Sequence, residues 1–218
     1  MPKKYSLLHD VVWVYTLILV VWGFYRLLFR FPDWVEELIL KPIVFIGPVW
    51  YRLSREQGKT WRERWVSLGI TGKNLPVAVV LGLALGVFYL LMGKLGVMLN
   101  SAGVGASGGE NNVGIGITLG LALATAISEQ LVFMGYMVTR LTDFWKNEWL
   151  GVGITALLFA VIHVPILVFG YQLPIGVIAS QFLLTFFLGM GNGLVMVRTR
   201  NLAAPVIAHS LWGVVGLI

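Results

Sequence analysis

Apolar positions in this chain run in long unbroken blocks, and the polar residues collect between the blocks instead of alternating with them. A bilayer span takes about 20 mainly apolar residues. The blocks of that order are Val11–Phe29, Leu38–Tyr51, Leu75–Leu99, Val113–Met137, Leu150–Tyr171, Leu173–Val197 and Leu202–Ile218. Two are short. Leu38–Tyr51 holds Lys41, Pro42 and Pro48 and reads as a broken or half-inserted helix, and the last block stops with the chain. The pattern predicts an all-α, polytopic transmembrane helix bundle of about seven spans, with six as the lower count.

Composition agrees. With 58% hydrophobic residues, 12% charged and a mean hydropathy of +0.84, the chain cannot cover itself with polar surface in water. One membrane domain, residues 1–218, is expected. Its N-terminal spans and a basic loop fill 1–73, and its chemistry lies in 113–218. Met1-Pro2-Lys3-Lys4 lacks a cleavable signal pattern, so the first block is expected to stay as a span. The absence of cysteine excludes disulfides, thiolate catalysis and Cys-based metal sites.

The net charge of +6 does not imply nucleic acid, because the basic residues sit between apolar blocks without an accompanying soluble aromatic face. They read as topology signals. Lys3, Lys4, Arg52, Arg55, Lys59, Arg62, Arg64, Lys73, Arg140, Lys146, Arg198 and Arg200, twelve of sixteen, fall on one side if the N-terminus is cytoplasmic. A multi-pass protein of the plasma membrane with a cytoplasmic N-terminus is expected. The opposite connections hold Arg30, Asp33, Glu36 and Glu37, then Glu110. Arg26 and Lys94, near outer span ends, read as snorkelling anchors. His9 beside Asp10 reads as solvated. The Gly- and Ser-rich stretch 100–112 reads as a flexible external loop. Gly82-x-x-x-Gly86 and the cluster Gly189, Gly191 and Gly193 suit close helix contact.

Three blocks each carry a solitary residue able to move protons: Glu129, His163 and His209. A charged side chain at mid-bilayer costs about 2.5–3.5 kcal/mol on insertion scales, so such residues point to a functional site. Phe159 stands four residues before His163, and Phe133 four after Glu129, on shared helical faces. Each aromatic puts an apolar wall beside a titratable group, and a carboxylate stripped of water is a better proton acceptor. Glu129 lies eight residues from Met137 and His209 seven from Leu202, so their depths match. His163, thirteen residues from Leu150, is expected to sit deeper by about 8–10 Å at about 1.5 Å per residue.

Ser128-Glu129-Gln130-Leu131-Val132-Phe133-Met134-Gly135-Tyr136 resembles the EExxxRG signature of the CAAX protease and bacteriocin-processing family of glutamic intramembrane endopeptidases. Phe159-Ala160-Val161-Ile162-His163 resembles its FxxxH motif, and Gly189–His209 its Gly-rich span, basic turn and Pro-x-x-x-His start of the last catalytic helix. The resemblance covers about Val113 to Gly213. It implies that Glu129 and His163 activate water against a scissile carbonyl, that His209 stabilises the oxyanion, and that no metal or other cofactor takes part. The implied partners are a membrane-associated peptide or protein substrate and the lipid bilayer.

Three positions depart from the motifs. The second Glu is Gln130, the Arg is Met134, and the Asn four residues after the last His is Gly213. Residues 130 and 134 are placed to pair across one turn, and losing both charges together is close to neutral where losing one is not. Gly213 removes an oxyanion donor, for which Ser210, Asn192, Gln181 or the backbone is a possible stand-in. The departures keep open a catalytically silent scaffold or immunity-type protein. A zinc protease using Glu129, His163 and His209 lacks HExxH support. A proton-relay transporter lacks an inverted repeat.

Overall fold

The computed structural model describes residues 4–99 and 114–214. Within them every regular element is a helix: α1 (Lys4–Leu28), α2 (residues 33–54), α3 (Trp61–Ser67), α4 (Leu75–Leu99), α5 (residues 115–145), α6 (residues 148–170), α7 (Ile175–Thr199) and α8 (Ala203–Trp212). Five of these, over Leu7–Leu28, Leu75–Lys94, Gly116–Trp145, Glu148–Gly170 and Ile175–Thr199, are long and apolar enough to cross a membrane. The two blocks flagged as short in the sequence become α2 and α8. The loop 100–112 and the last four residues of the chain lie outside the described residues.

The outer face is a lipid face. On α4, Val77, Val80, Leu83, Val87 and Leu91 are exposed, while Ala78 and Tyr89 turn inward. Lipid tails are as apolar as these side chains, so helix association depends on close packing. Gly82 and Gly86 provide it. A Cβ at Gly82 would lie 2.7 Å from the Ala204 carbonyl oxygen and 3.1 Å from Ala204 Cα, and one at Gly86 3.2 Å from Ala208 Cα. Helix α8, which carries His209, is thus bedded directly on α4. Gly82→Val is expected to cost about 1–3 kcal/mol through overpacking against backbone, read as a lowered Tm in detergent.

Helix α2 departs most from the sequence reading. Pro42 has no N–H and crowds the carbonyl four residues back. The helix widens around it into π turns at Glu36–Leu40 and Pro42–Ile46, with the Lys41 N–H bonded to the Glu36 carbonyl. At one end of the bundle Arg26 pairs with Glu36 at 2.6 Å, and Arg30 donates to the Phe169 carbonyl at 2.6 Å. At the other end Arg52 pairs with Asp10, Arg140 with Glu56 at 2.6 Å and Arg198 with Glu148 at 3.0 Å. Helix α2 therefore runs between the same two ends as its neighbours.

Glu36 and Glu37 are not in a solvated connection but on α2, Glu36 being buried. Arg26 is not a snorkelling anchor, because its guanidinium is tied to Glu36 and stacks 4.6 Å from the Trp22 ring centroid. His9 is exposed as expected, 3.6 Å from Asp10. In the basic loop, burial acts to raise the Glu56 pKa, but Lys59 and Arg140 outweigh it and hold the carboxyl below its ordinary value.

Candidate active site

Helix α5 does not end near Met137. It continues as a π stretch over Leu131–Val138 and as α-helix over Thr139–Trp145, because Arg140 is buried over the Tyr136 ring and paired with Glu56. Glu129 thus lies sixteen residues before Trp145, and His163 fifteen after the start of α6 at Glu148. The expected depth offset of His163 disappears. Glu129 and Gln130 sit at the junction into the π stretch, a local distortion found often at functional sites.

The three side chains meet. Glu129 is 5% exposed, and its Oε2 lies 3.7 Å from His163 Nε2 and 3.6 Å from His209 Nε2. These separations exceed a hydrogen bond and suit a water held between the groups. Oε2 has no hydrogen-bond partner among the described residues. Oε1 is taken by Lys41 Nζ at 3.0 Å. The carboxylate is therefore not enclosed by apolar walls alone, as the sequence suggested. Phe133 packs on Phe159 and Phe45, and Phe159 stands edge-on to both imidazoles, with centroids 4.7 Å from His163 and 5.7 Å from His209.

The two rings are set in opposite tautomers. His163 Nδ1 donates to the Phe159 carbonyl at 2.7 Å, which leaves the Nε2 lone pair of the neutral ring facing Glu129. The buried Gln130 amide nitrogen is bonded to His209 Nδ1. An amide nitrogen only donates, so Nδ1 accepts and the His209 proton sits on Nε2. One imidazole offers an acceptor to the space beside Oε2 and the other offers a donor.

Residues 111–215 match the family model of the type II CAAX prenyl endopeptidases, Rce1-like. The match covers a little under half of the chain, and over those residues the chain is similar to the Rce1-like family. No curated protein and no solved structure matches the chain. The Rce1-like stretch holds Glu129, His163 and His209, whereas α2 precedes it.

Of the supporting residues, Phe159 and Gln130 touch the site. Ser210 donates to the Val206 carbonyl at 2.8 Å, and the buried Asn192 receives the Tyr89 hydroxyl at 3.5 Å. Both make their hydrogen bonds away from Glu129 and the imidazoles. Met134 is fully buried among apolar neighbours, in keeping with loss of the ion pair as a unit. Among the described residues no group of three or more His, Asp or Glu has metal-site geometry. The Lys41 ammonium on Glu129 is also an unfavourable neighbour for a second cation.

Gly213 is explained by packing. A Cβ there would lie 2.9 Å from Ala122 Cβ, so α8 approaches α5 only because position 213 is bare. Gly213→Asn is expected to lower the Tm and to leave the rate of any cleavage reduced or unchanged. Restoration of the Rce1-like motif residue gives no gain, which a peptide-cleavage assay beside a thermal melt checks.

A cavity of about 480 Å³ opens onto the site, lined in part by Arg26, Arg30, Glu36, Glu37, Tyr171 and His209. It reaches the end of the bundle formed by residues 29–37 and the first turns of α5. That end is opposite the cluster of basic residues. The reason is the interior of α5, where Leu131 to Val138 are all buried and close the basic end.

Sequence reading missed Lys41 as a site residue. The signal was present: it is a solitary cation within an apolar block, the criterion applied to Glu129, and it follows Glu37 by one helical turn. The neighbouring prolines diverted the reading toward a broken helix.

Proposed function

We propose that this protein is an intramembrane endopeptidase that cleaves membrane-associated peptides or proteins by direct attack of water. The observation that carries the reading is the unbonded Glu129 Oε2 facing one acceptor and one donor imidazole nitrogen. Water between Oε2 and His163 Nε2 has its oxygen lone pair turned toward an incoming carbonyl. Glu129 takes one proton, and the hydroxide oxygen bonds to the scissile carbon. His209 Nε2–H donates to the oxyanion that forms. Glu129 returns the proton to the leaving nitrogen as the C–N bond breaks, giving a carboxylic acid and an amine.

The Rce1-like match supports prenylated carboxyl-terminal peptides as the first substrates to try. The cavity takes substrate segments from the end of the bundle formed by residues 29–37 and the first turns of α5. The silent-scaffold reading draws on Gly213, which leaves His209 as the donor on its helix.

The test is reconstitution into vesicles with a panel of membrane-anchored peptides, prenylated and not, with and without a chelator. Cleavage indifferent to chelation supports the reading. A reaction lost on chelation and restored by zinc, or no cleavage of any peptide, counts against it.

A further inference from the structure

Helices α2 and α5 face each other through two residues apiece, each pair one turn apart. On α2 these are Glu37 and Lys41, and on α5 they are Thr125 and Glu129. Lys41 Nζ bonds to Glu37 Oε2 at 2.7 Å and to Glu129 Oε1 at 3.0 Å, and its side chain is 6% exposed. The Thr125 hydroxyl bonds to Glu37 Oε2. These three links run from Thr125 through Glu37 and Lys41 to Glu129 and tie the active-site helix to α2. Glu37 stands where this clamp meets the cavity.

An unpaired ammonium this deep would be costly, and a single carboxylate would suffice to pair it. Two carboxylates share it instead. When both are ionised the cluster carries one net negative charge. When Glu129 takes a proton, Lys41 and Glu37 remain as a neutral pair. Without Glu37, protonation of Glu129 would strand a buried cation. The second carboxylate thus allows Lys41 to hold Glu129 without opposing its protonation.

We propose that Lys41, seated by Glu37, is the positioning residue of the site: it fixes Glu129 Oε1 so that Oε2 is the oxygen presented to water, and Glu37 keeps it paired throughout turnover. This rests on the reading of Glu129 as the base. The groups facing Glu129 are Lys41 from α2, His163 from α6 and His209 from α8. Those facing Lys41 are Glu37, Glu129 and, 5.8 Å away, the Trp22 ring of α1.

The experiment measures kcat, KM and pH–rate profiles for the full chain in vesicles, comparing wild type with Lys41→Met, Lys41→Arg, Glu37→Gln and Glu129→Gln. Lys41→Met is expected to lower kcat about 10²-fold, as misplacement of a reacting group does, with KM within about twofold. Lys41→Arg recovers part of the loss. The acid limb of the profile moves in opposite directions in Lys41→Met and Glu37→Gln, because one removes a cation beside Glu129 and the other an anion. Glu37→Gln keeps the Lys41–Glu129 pair and covers the case of a Lys41→Met chain that does not fold. Unchanged kcat, or acid limbs that stay put or move together, overturns the inference while leaving Glu129 as the base. Full activity in Glu129→Gln, or no cleavage by wild type, overturns the reading of the site and this inference with it.

Discussion

Glu129→Gln loses cleavage of a membrane-anchored peptide by about 10³-fold or more while remaining folded. The first half follows from the chemistry. A positioned general base contributes about 10²–10⁴ in rate, and the amide cannot accept the proton of the attacking water. The second half follows from the clamp. Breaking a buried ion pair commonly costs about 3–5 kcal/mol because one charge is stranded. Here Lys41 keeps Glu37 at 2.7 Å, and the Gln carbonyl replaces Oε1 as an acceptor. The Tm of Glu129→Gln is therefore expected close to that of wild type, so activity and melting measured on one preparation separate loss of chemistry from loss of fold. A collapsed Tm would contradict the role given to Glu37.

His209→Ala lowers kcat by about 10²–10³, the loss of one oxyanion donor, with little change in KM. The donor is set by Gln130, which holds the ring with its proton on Nε2. No side chain replaces it at position 213, where Ala122 leaves no room. The Ser210 hydroxyl is bonded to the Val206 carbonyl, and Asn192 is held by Tyr89 through its oxygen, its amide nitrogen having no partner among the described residues. Their substitution by Ala is the control and leaves kcat within a few-fold of wild type. A His209→Ala enzyme that works at the wild-type rate would remove the oxyanion role and place the stabilising donor on the backbone.

Much of this site was legible in the chain because lipid makes isolated polar residues conspicuous. Glu129, His163 and His209 each stand alone in an apolar block, so their convergence followed from the cost of keeping them there. Gly82 and Gly86 were legible as packing residues for the same reason, since bare positions in a span permit close approach. The chain showed less wherever polar residues pair with one another. Arg140 marked a span end in the sequence, yet Glu56 and the Tyr136 ring keep it inside the helix. That error produced the false depth offset of His163. Glu36, Glu37 and Lys41 looked like a charged connection followed by a break. Their partners Arg26, Thr125 and Glu129 lie on other helices, and the π turns that aim them inward have no periodicity a sequence displays. The direction of the cavity was hidden likewise, because it depends on which half of α5 is sealed by tertiary contacts.

The most direct test of Glu129 as a base acting on water is a single turnover in H₂¹⁸O, with enzyme in excess over peptide and the new carboxyl terminus weighed by mass spectrometry. Direct attack predicts one ¹⁸O in essentially every product molecule of the first turnover and none in the Glu129 carboxyl. First-turnover product free of label, with ¹⁸O found in the peptide containing Glu129, would mean that the carboxylate itself attacks, and would contradict the account.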